Sequence, residues 1–253
     1  MDSSDLQKAF DFLCQVKQDL KIKNRFSADK RLDTLIDLYA EEKFNEQDLT
    51  KGTMLYRARV YKRGDAQTRF NNPPTGTRFK GYDAGDSFVN LNYEYVGEGR
   101  CNPQYIPYLY ASASANCCIH EIRPAKEAYV SIAKIKVEEP LRILRLNAWD
   151  VFISNSGSMI VDGVPNVTMF MYLANEFSRP HKEFGDYLLC QYISEKVKSY
   201  GFDGIAYASA VYGGKDNVNY VIFNYKKCKP ISSALRLVSD VIIETVSLKE
   251  LNS

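Results

Sequence analysis

The hydrophobic pattern of this chain changes period once, at Lys51-Gly52, and that change limits the fold to a helical N-terminal segment followed by a mixed α+β body. Before it, Ser4 and Gln7 read as a capping box, and Leu6, Phe10, Leu13, Val16 and Leu20 recur at the spacing of one helix face. A second amphipathic segment comes after Ser27, with Leu32, Leu35, Ile36 and Tyr39 on the side expected to be buried. The two read as a helical hairpin within residues 1–50, too small to hold a large core alone and so expected to pack on the larger body.

Residues 51–253 have a different texture. Strand-like runs rich in β-branched and apolar residues occur at 54–61, 129–137, 141–146, 220–225 and 241–246, broken by turn clusters such as Asn71-Asn72-Pro73-Pro74. The stretch 184–200 carries Leu188, Leu189, Tyr192, Ile193 and Val197 at helical spacing, with Gly201 where a helix should stop and a strand expected over 204–209. No internal repeat or low-complexity segment interrupts this order.

Bulk properties exclude several function classes. Lysine and arginine number 33 against 31 acidic residues, so no summed field draws the chain to nucleic acid or an anionic membrane. No run approaches the roughly 18 apolar residues of a membrane span, and MDSSDLQKAF lacks the regions of a secretory leader, so a cytoplasmic location is expected. The six cysteines are scattered, which predicts reduced thiols.

Familiar constellations fail on spacing. Cys117, Cys118 and His120 suggest zinc, but adjacent cysteines diverge and His181 is the only other histidine, so no metal is expected. Gly213-Gly214-Lys215 is followed by Asp216 rather than Ser or Thr, and Gly97-Glu98-Gly99-Arg100 lacks the third glycine of a dinucleotide fingerprint. With two histidines and no nucleophile elbow, a Ser-His-Asp hydrolase is also poorly supported.

Three segments combine turn glycines, a committed polar residue and strand-like flanks: Leu55-Tyr56-Arg57-Ala58-Arg59, the stretch GRCNPQYIPYLYASASANCCIHEIRP from Gly99 to Pro124, and GFDGIAYASA from Gly201. Together with NYVIF and with Tyr187-Leu188 and Gln191, their order resembles the RES-domain family over about residues 55–230. That family is named for an arginine, a glutamate and a serine, and the matching positions here are Arg57, Glu121 and Ser209. Two departures stand out: Tyr105 occupies a turn position where many relatives have glycine, and residues 86–98 form a longer approach to Gly99. Residues 147–182 do not align.

The resemblance implies an ADP-ribosyltransferase-like α+β fold and an enzyme that breaks down NAD+ as substrate, with no prosthetic group and with phosphate or water as the attacking group. It implies that Arg57 grips the diphosphate through its fork of donors, that Glu121 stabilises an oxocarbenium-like ribose, and that Ser209 orients the glutamate or the ribose. Tyr56 and Tyr110 would stack on a substrate ring, while Arg100 and Asn102 would add polar contacts. A toxin held by a helix-turn-helix antitoxin is the biological setting the resemblance suggests. Protein ADP-ribosylation at the same site, or NAD+ binding without turnover, are the competing readings, and a homo-oligomer is compatible with all three. Taken singly, each residue has a duller role: an ion-paired arginine, a solvated helix-end carboxylate, a turn-capping serine, packing tyrosines.

Overall fold

The computed structural model describes residues 3–41, 46–61, 81–146, 160–161, 163–179 and 185–242. Two helices open it, α1 (Ser3–Ile22) and α2 (Lys30–Glu41), followed by the strands β1 (Glu46–Leu49), β2 (Met54–Val60) and β3 (Leu109–Ser112). A short helix α3 (Ala115–Glu121) precedes β4 (Tyr129–Val137) and β5 (Leu141–Leu146), and a two-stranded ribbon of β6 (Ile160–Val161) and β7 (Val164–Pro165) leads into α4 (Asn166–Ser178). Then come α5 (Leu188–Ser199), β8 (Gly204–Ala208), β9 (Val218–Ile222) and β10 (Cys228–Leu237).

Eight strands form one sheet in the order β1-β5-β8-β9-β3-β2-β4-β10, in which β5 and β8 pair in parallel and the others antiparallel. One face of its centre packs against α4 and α5, with Leu144, Leu146, Ile205 and Val221 meeting Phe170, Leu173, Phe177, Ile193 and Val197. The opposite face buries Leu55, Leu109, Ala133, Ile135, Ile143 and Ile222 in a second core. Strand β4 is buried on both faces over residues 130–133: Ala133, Ile135 and Val137 enter the second core, and Val130 and Ile132 a smaller cluster with Ala58 and Cys118 on the other face.

The N-terminal helices join the first core. Ala9, Leu13, Val16 and Leu20 of α1 and Leu32, Leu35, Ile36 and Tyr39 of α2 are all buried in it, and each Leu, Ile or Val among them contributes roughly 1.5–3 kcal/mol. Polar ties reinforce the docking. Lys17 meets the buried carboxylate of Glu176 on α4 at 2.6 Å, the Tyr39 hydroxyl donates to the Arg145 carbonyl at 2.6 Å, and the Tyr192 hydroxyl donates to Asp33 at 2.7 Å. The chain before Lys51 also supplies β1, an edge strand of the sheet. The core therefore runs unbroken across the change of sequence texture.

Three local expectations are corrected. Helix α1 begins at Ser3, and Gln7 donates to Asp11 at 2.8 Å rather than reaching back as half of a capping box. Its buried stripe takes Ala9, whereas Phe10 is 49% exposed and leans on Tyr172. The long strand β10 takes the sheet edge where no strand was expected, while Val241 and Ile242 stand outside regular structure and 243–246 lie outside the described residues. An edge place explains how Pro230 and a bulge before Ser232 are tolerated there.

Candidate active site

Strands β2 and β3 share a single registered pair, Tyr56 with Ser112, so the sheet parts on either side of it. A cleft of about 240 Å³ opens there, lined by Tyr56, Arg57, Tyr110, Glu121, Tyr207 and Asn219 among others. Register places Tyr207, Asn219, Ser112 and Tyr56 opposite one another on four successive strands, and their side chains share one face of the sheet. Arg57 alternates to the other face yet reaches the same cleft because the strands diverge.

Glu121 is the last residue of α3, a helix whose start is fixed by Ser114, the hydroxyl of which accepts the Cys117 amide at 3.1 Å. Cys117 and Cys118 are the buried side of this helix, and Cys118 seats it on the sheet beside Ala58 and Ile132. The helix end thereby holds an exposed carboxylate over the cleft. Its Oε1 accepts two bonds of 2.6 Å, one from the Ser209 hydroxyl and one from the Asn219 side-chain amide. Oε2 has no hydrogen bond among the described residues.

Ser209 stands just past the end of β8. Its oxygen accepts the amides of Val211 at 3.2 Å and Tyr212 at 3.1 Å, and its proton goes to Glu121. Arg57 donates through Nη1 to the carbonyl of Phe88, which leaves Nε and Nη2 uncommitted among the described residues. Burial, and secondarily the charge of Arg59, pulls the Arg57 guanidinium down to about 10, still cationic at neutral pH. The cleft thus presents one fixed cation, one fixed anion and four tyrosine side chains.

The other residues to which the sequence points divide. Tyr56 and Tyr110 line the cleft. Tyr110 turns its hydroxyl away, accepting the Cys101 amide at 2.9 Å and donating to Asn102 at 2.8 Å, and burial pushes its phenol well above the ordinary value. Asn102 is a loop organiser: its amide nitrogen bonds the carbonyls of Gly97 and Pro103, and its backbone carbonyl takes Gln191 at 3.1 Å. Arg100 closes the end of α4, donating to the carbonyls of Glu176 at 3.1 Å and Arg179 at 2.8 Å. Neither Arg100 nor Asn102 lines the cleft, so the structure does not bring them to the Arg57–Glu121 group. Of the rejected zinc set, the Cys118 thiol donates to the Ala115 carbonyl at 3.1 Å, and His120 bonds the Asn116 carbonyl at 2.8 Å; His181 lies outside the described residues.

Asn219, Ser112 and Tyr207 join the site as well: all three lie inside the motif stretches, but the motifs do not single them out. Asn219 is legible in part, since it opens the run NYVIF and a buried amide in a strand needs partners. What one-dimensional reading lacks is the register that sets it beside Ser112.

The family model described as the RES domain matches residues 54–240. No curated protein matches the sequence. Among solved structures, a chain of the M. tuberculosis MbcT-MbcA toxin-antitoxin complex superposes with a TM-score of 0.45 at 16% identity, covering 82% of this chain and 93% of that one. No helix among the described residues is long and apolar enough to cross a membrane.

Proposed function

Because this chain belongs to the RES-domain family, we propose that it is an enzyme that cleaves the nicotinamide–ribose bond of NAD+, with water or inorganic phosphate as the acceptor. The observation that carries the reading is the Glu121 carboxylate, pinned through Oε1 by two donors, with no hydrogen bond to Oε2 among the described residues, over a cleft that also holds Arg57.

The chemistry suits these groups. As the bond from ribose C1′ to the pyridinium nitrogen breaks, nicotinamide leaves neutral with the electron pair, and positive charge develops on the ribose. A carboxylate oxygen fixed beforehand stabilises that charge without reorganising, so its effect grows in the transition state. Water or phosphate then bonds to C1′ and releases its proton to solvent, giving ADP-ribose or ADP-ribose phosphate. Arg57 offers Nε and Nη2 to the diphosphate, and the rings of Tyr56, Tyr110 and Tyr207 offer faces for the aromatic end of the substrate.

A toxin restrained by an antitoxin is the setting in which such an activity belongs. Free NAD+ cleavage would arrest growth when the chain is expressed alone, and the helix-turn-helix antitoxin expected from the family would relieve it.

Purified protein mixed with NAD+, with and without phosphate, tests the reading by nicotinamide release. Expected are free nicotinamide and either ADP-ribose or its phosphate, with Glu121→Gln slowed by roughly 100-fold or more. Transfer of ADP-ribose to protein would replace it with a transferase, and binding without release would end it.

A further inference from the structure

We infer that Asn219 is a positioning residue of this site, acting through Glu121; the inference rests on the proposed NAD+ cleavage for its kinetic consequence but not for its geometry. The side-chain amide of Asn219 lies 2.6 Å from Glu121 Oε1 and, on its other side, 2.6 Å from the Ser112 hydroxyl. Its orientation is dictated by chemistry. An ionised carboxylate only accepts, so the atom facing Glu121 is the nitrogen. The oxygen then faces Ser112, which must donate to it. The Cys117 thiol adds a weak bond to the same oxygen at 3.5 Å, and burial pushes that thiol above its ordinary value, so it keeps the proton it donates.

The result is a directed chain, Ser112 to Asn219 to Glu121, whose first two members are buried and whose last is exposed. Ser209 approaches the same carboxylate oxygen from another element. Two donors on Oε1 fix the plane of the carboxylate and leave Oε2 as the oxygen offered to a substrate. Ser112 and Asn219 sit in register on adjacent strands, which makes this support part of the sheet rather than of a loop.

Replacing Asn219 by two different residues separates a donor from a space-filler. Asn219→Asp keeps the shape but turns a second carboxylate toward Glu121, while Asn219→Ala removes the group altogether. A positioning donor predicts that nicotinamide release near neutral pH falls by roughly 100-fold in Asn219→Asp and roughly 10-fold in Asn219→Ala, with KM for NAD+ little changed. A packing role predicts the reverse order, and Asn219→Asp retaining more activity than Asn219→Ala would overturn the inference. Ser112→Ala, which frees the amide to turn, should lose less than Asn219→Ala. If the wild type releases no nicotinamide, the functional reading fails, and the carboxyl carbon resonance of Glu121, assigned from its loss in Glu121→Gln, still decides. Displacement of that resonance in Asn219→Ala, or in Ser112→Ala should the Asn219 variants not fold, supports the inference; an unmoved resonance overturns it.

Discussion

Ser209 gives its single hydroxyl proton to Glu121, Oγ lying 2.6 Å from Oε1, and so cannot donate to a substrate at the same time. The serine is a holder of the glutamate, and its oxygen is in turn held by the Val211 and Tyr212 amides. Removing the hydroxyl in Ser209→Ala takes away a charge-assisted bond and should lower kcat for nicotinamide release by roughly 10- to 100-fold while KM changes little. Ser209→Thr should restore most of it. Steady-state kinetics on the three proteins check this, and an Ala variant as fast as the wild type would return Ser209 to a turn-capping role.

Arg57 is the one cation lining the cleft among the described residues, and burial already works against its charge. Lysine in its place keeps a charge but loses the planar fork, and a half-buried ammonium gives up its proton more readily than a guanidinium does. Arg57→Lys should raise KM for NAD+ by roughly 10-fold or more, with a smaller effect on kcat. Equal kinetics in the two proteins would remove Arg57 from substrate binding.

Asp203 predicts a pH dependence of stability. Burial opposes its charge, but the Lys227 ammonium at 2.9 Å, the Arg142 amide at 3.0 Å and the Asn224 amide at 3.1 Å together hold its carboxyl below the ordinary value of 3.8. A carboxyl depressed in the folded state contributes stability above its unfolded value, and that contribution is lost as pH falls through the folded value. Asp203→Asn should therefore cost about 1–3 kcal/mol at neutral pH, and the difference should shrink in acid below about pH 3.8. Thermal melts of both proteins across that range give the comparison, and a difference independent of pH would remove the charge from the account.

Tyr105 adopts φ 72°, a left-handed conformation that a side chain makes costly, and it is 56% exposed, so little packing offsets the strain. Tyr105→Gly should be neutral to stabilising by up to about 1 kcal/mol, and Tyr105→Val should be destabilising, both read from Tm. The turn geometry there is the glycine-type one that the family pattern implies, kept here without the glycine.

Legibility in the sequence tracked the range of the interactions. Strands β2, β4, β5 and β8 and helix α2 are readable because apolar period and β-branched content act within a few residues. Gly201, with φ 79°, ends the chain's turn out of α5 as its position suggests. Helix α4 is not, because its segment aligns with nothing and its apolar side is recognised only against the helices and sheet it packs on. The same holds for the site. Motif order brings Arg57 and Glu121 to one cleft, whereas Arg100 and Asn102 are claimed by a helix end and a loop. Competing backbone carbonyls decide those two side chains, and carbonyls leave no trace in residue identity.

Gly99 shows how tightly that loop is set: a methyl group added there would collide with the Asn102 side-chain oxygen and meet the Tyr110 hydroxyl at 2.8 Å.

The lone rung between β2 and β3 gives the molecule a seam. The groups β1-β5-β8-β9-β3 and β2-β4-β10 are each stitched by longer ladders, yet in backbone pairing Tyr56 and Ser112 alone link one to the other, the rest of the joint being side chains of the shared second core. A molecule entering the proposed site at this seam therefore meets side chains and one ladder step rather than a continuous hydrogen-bonded wall.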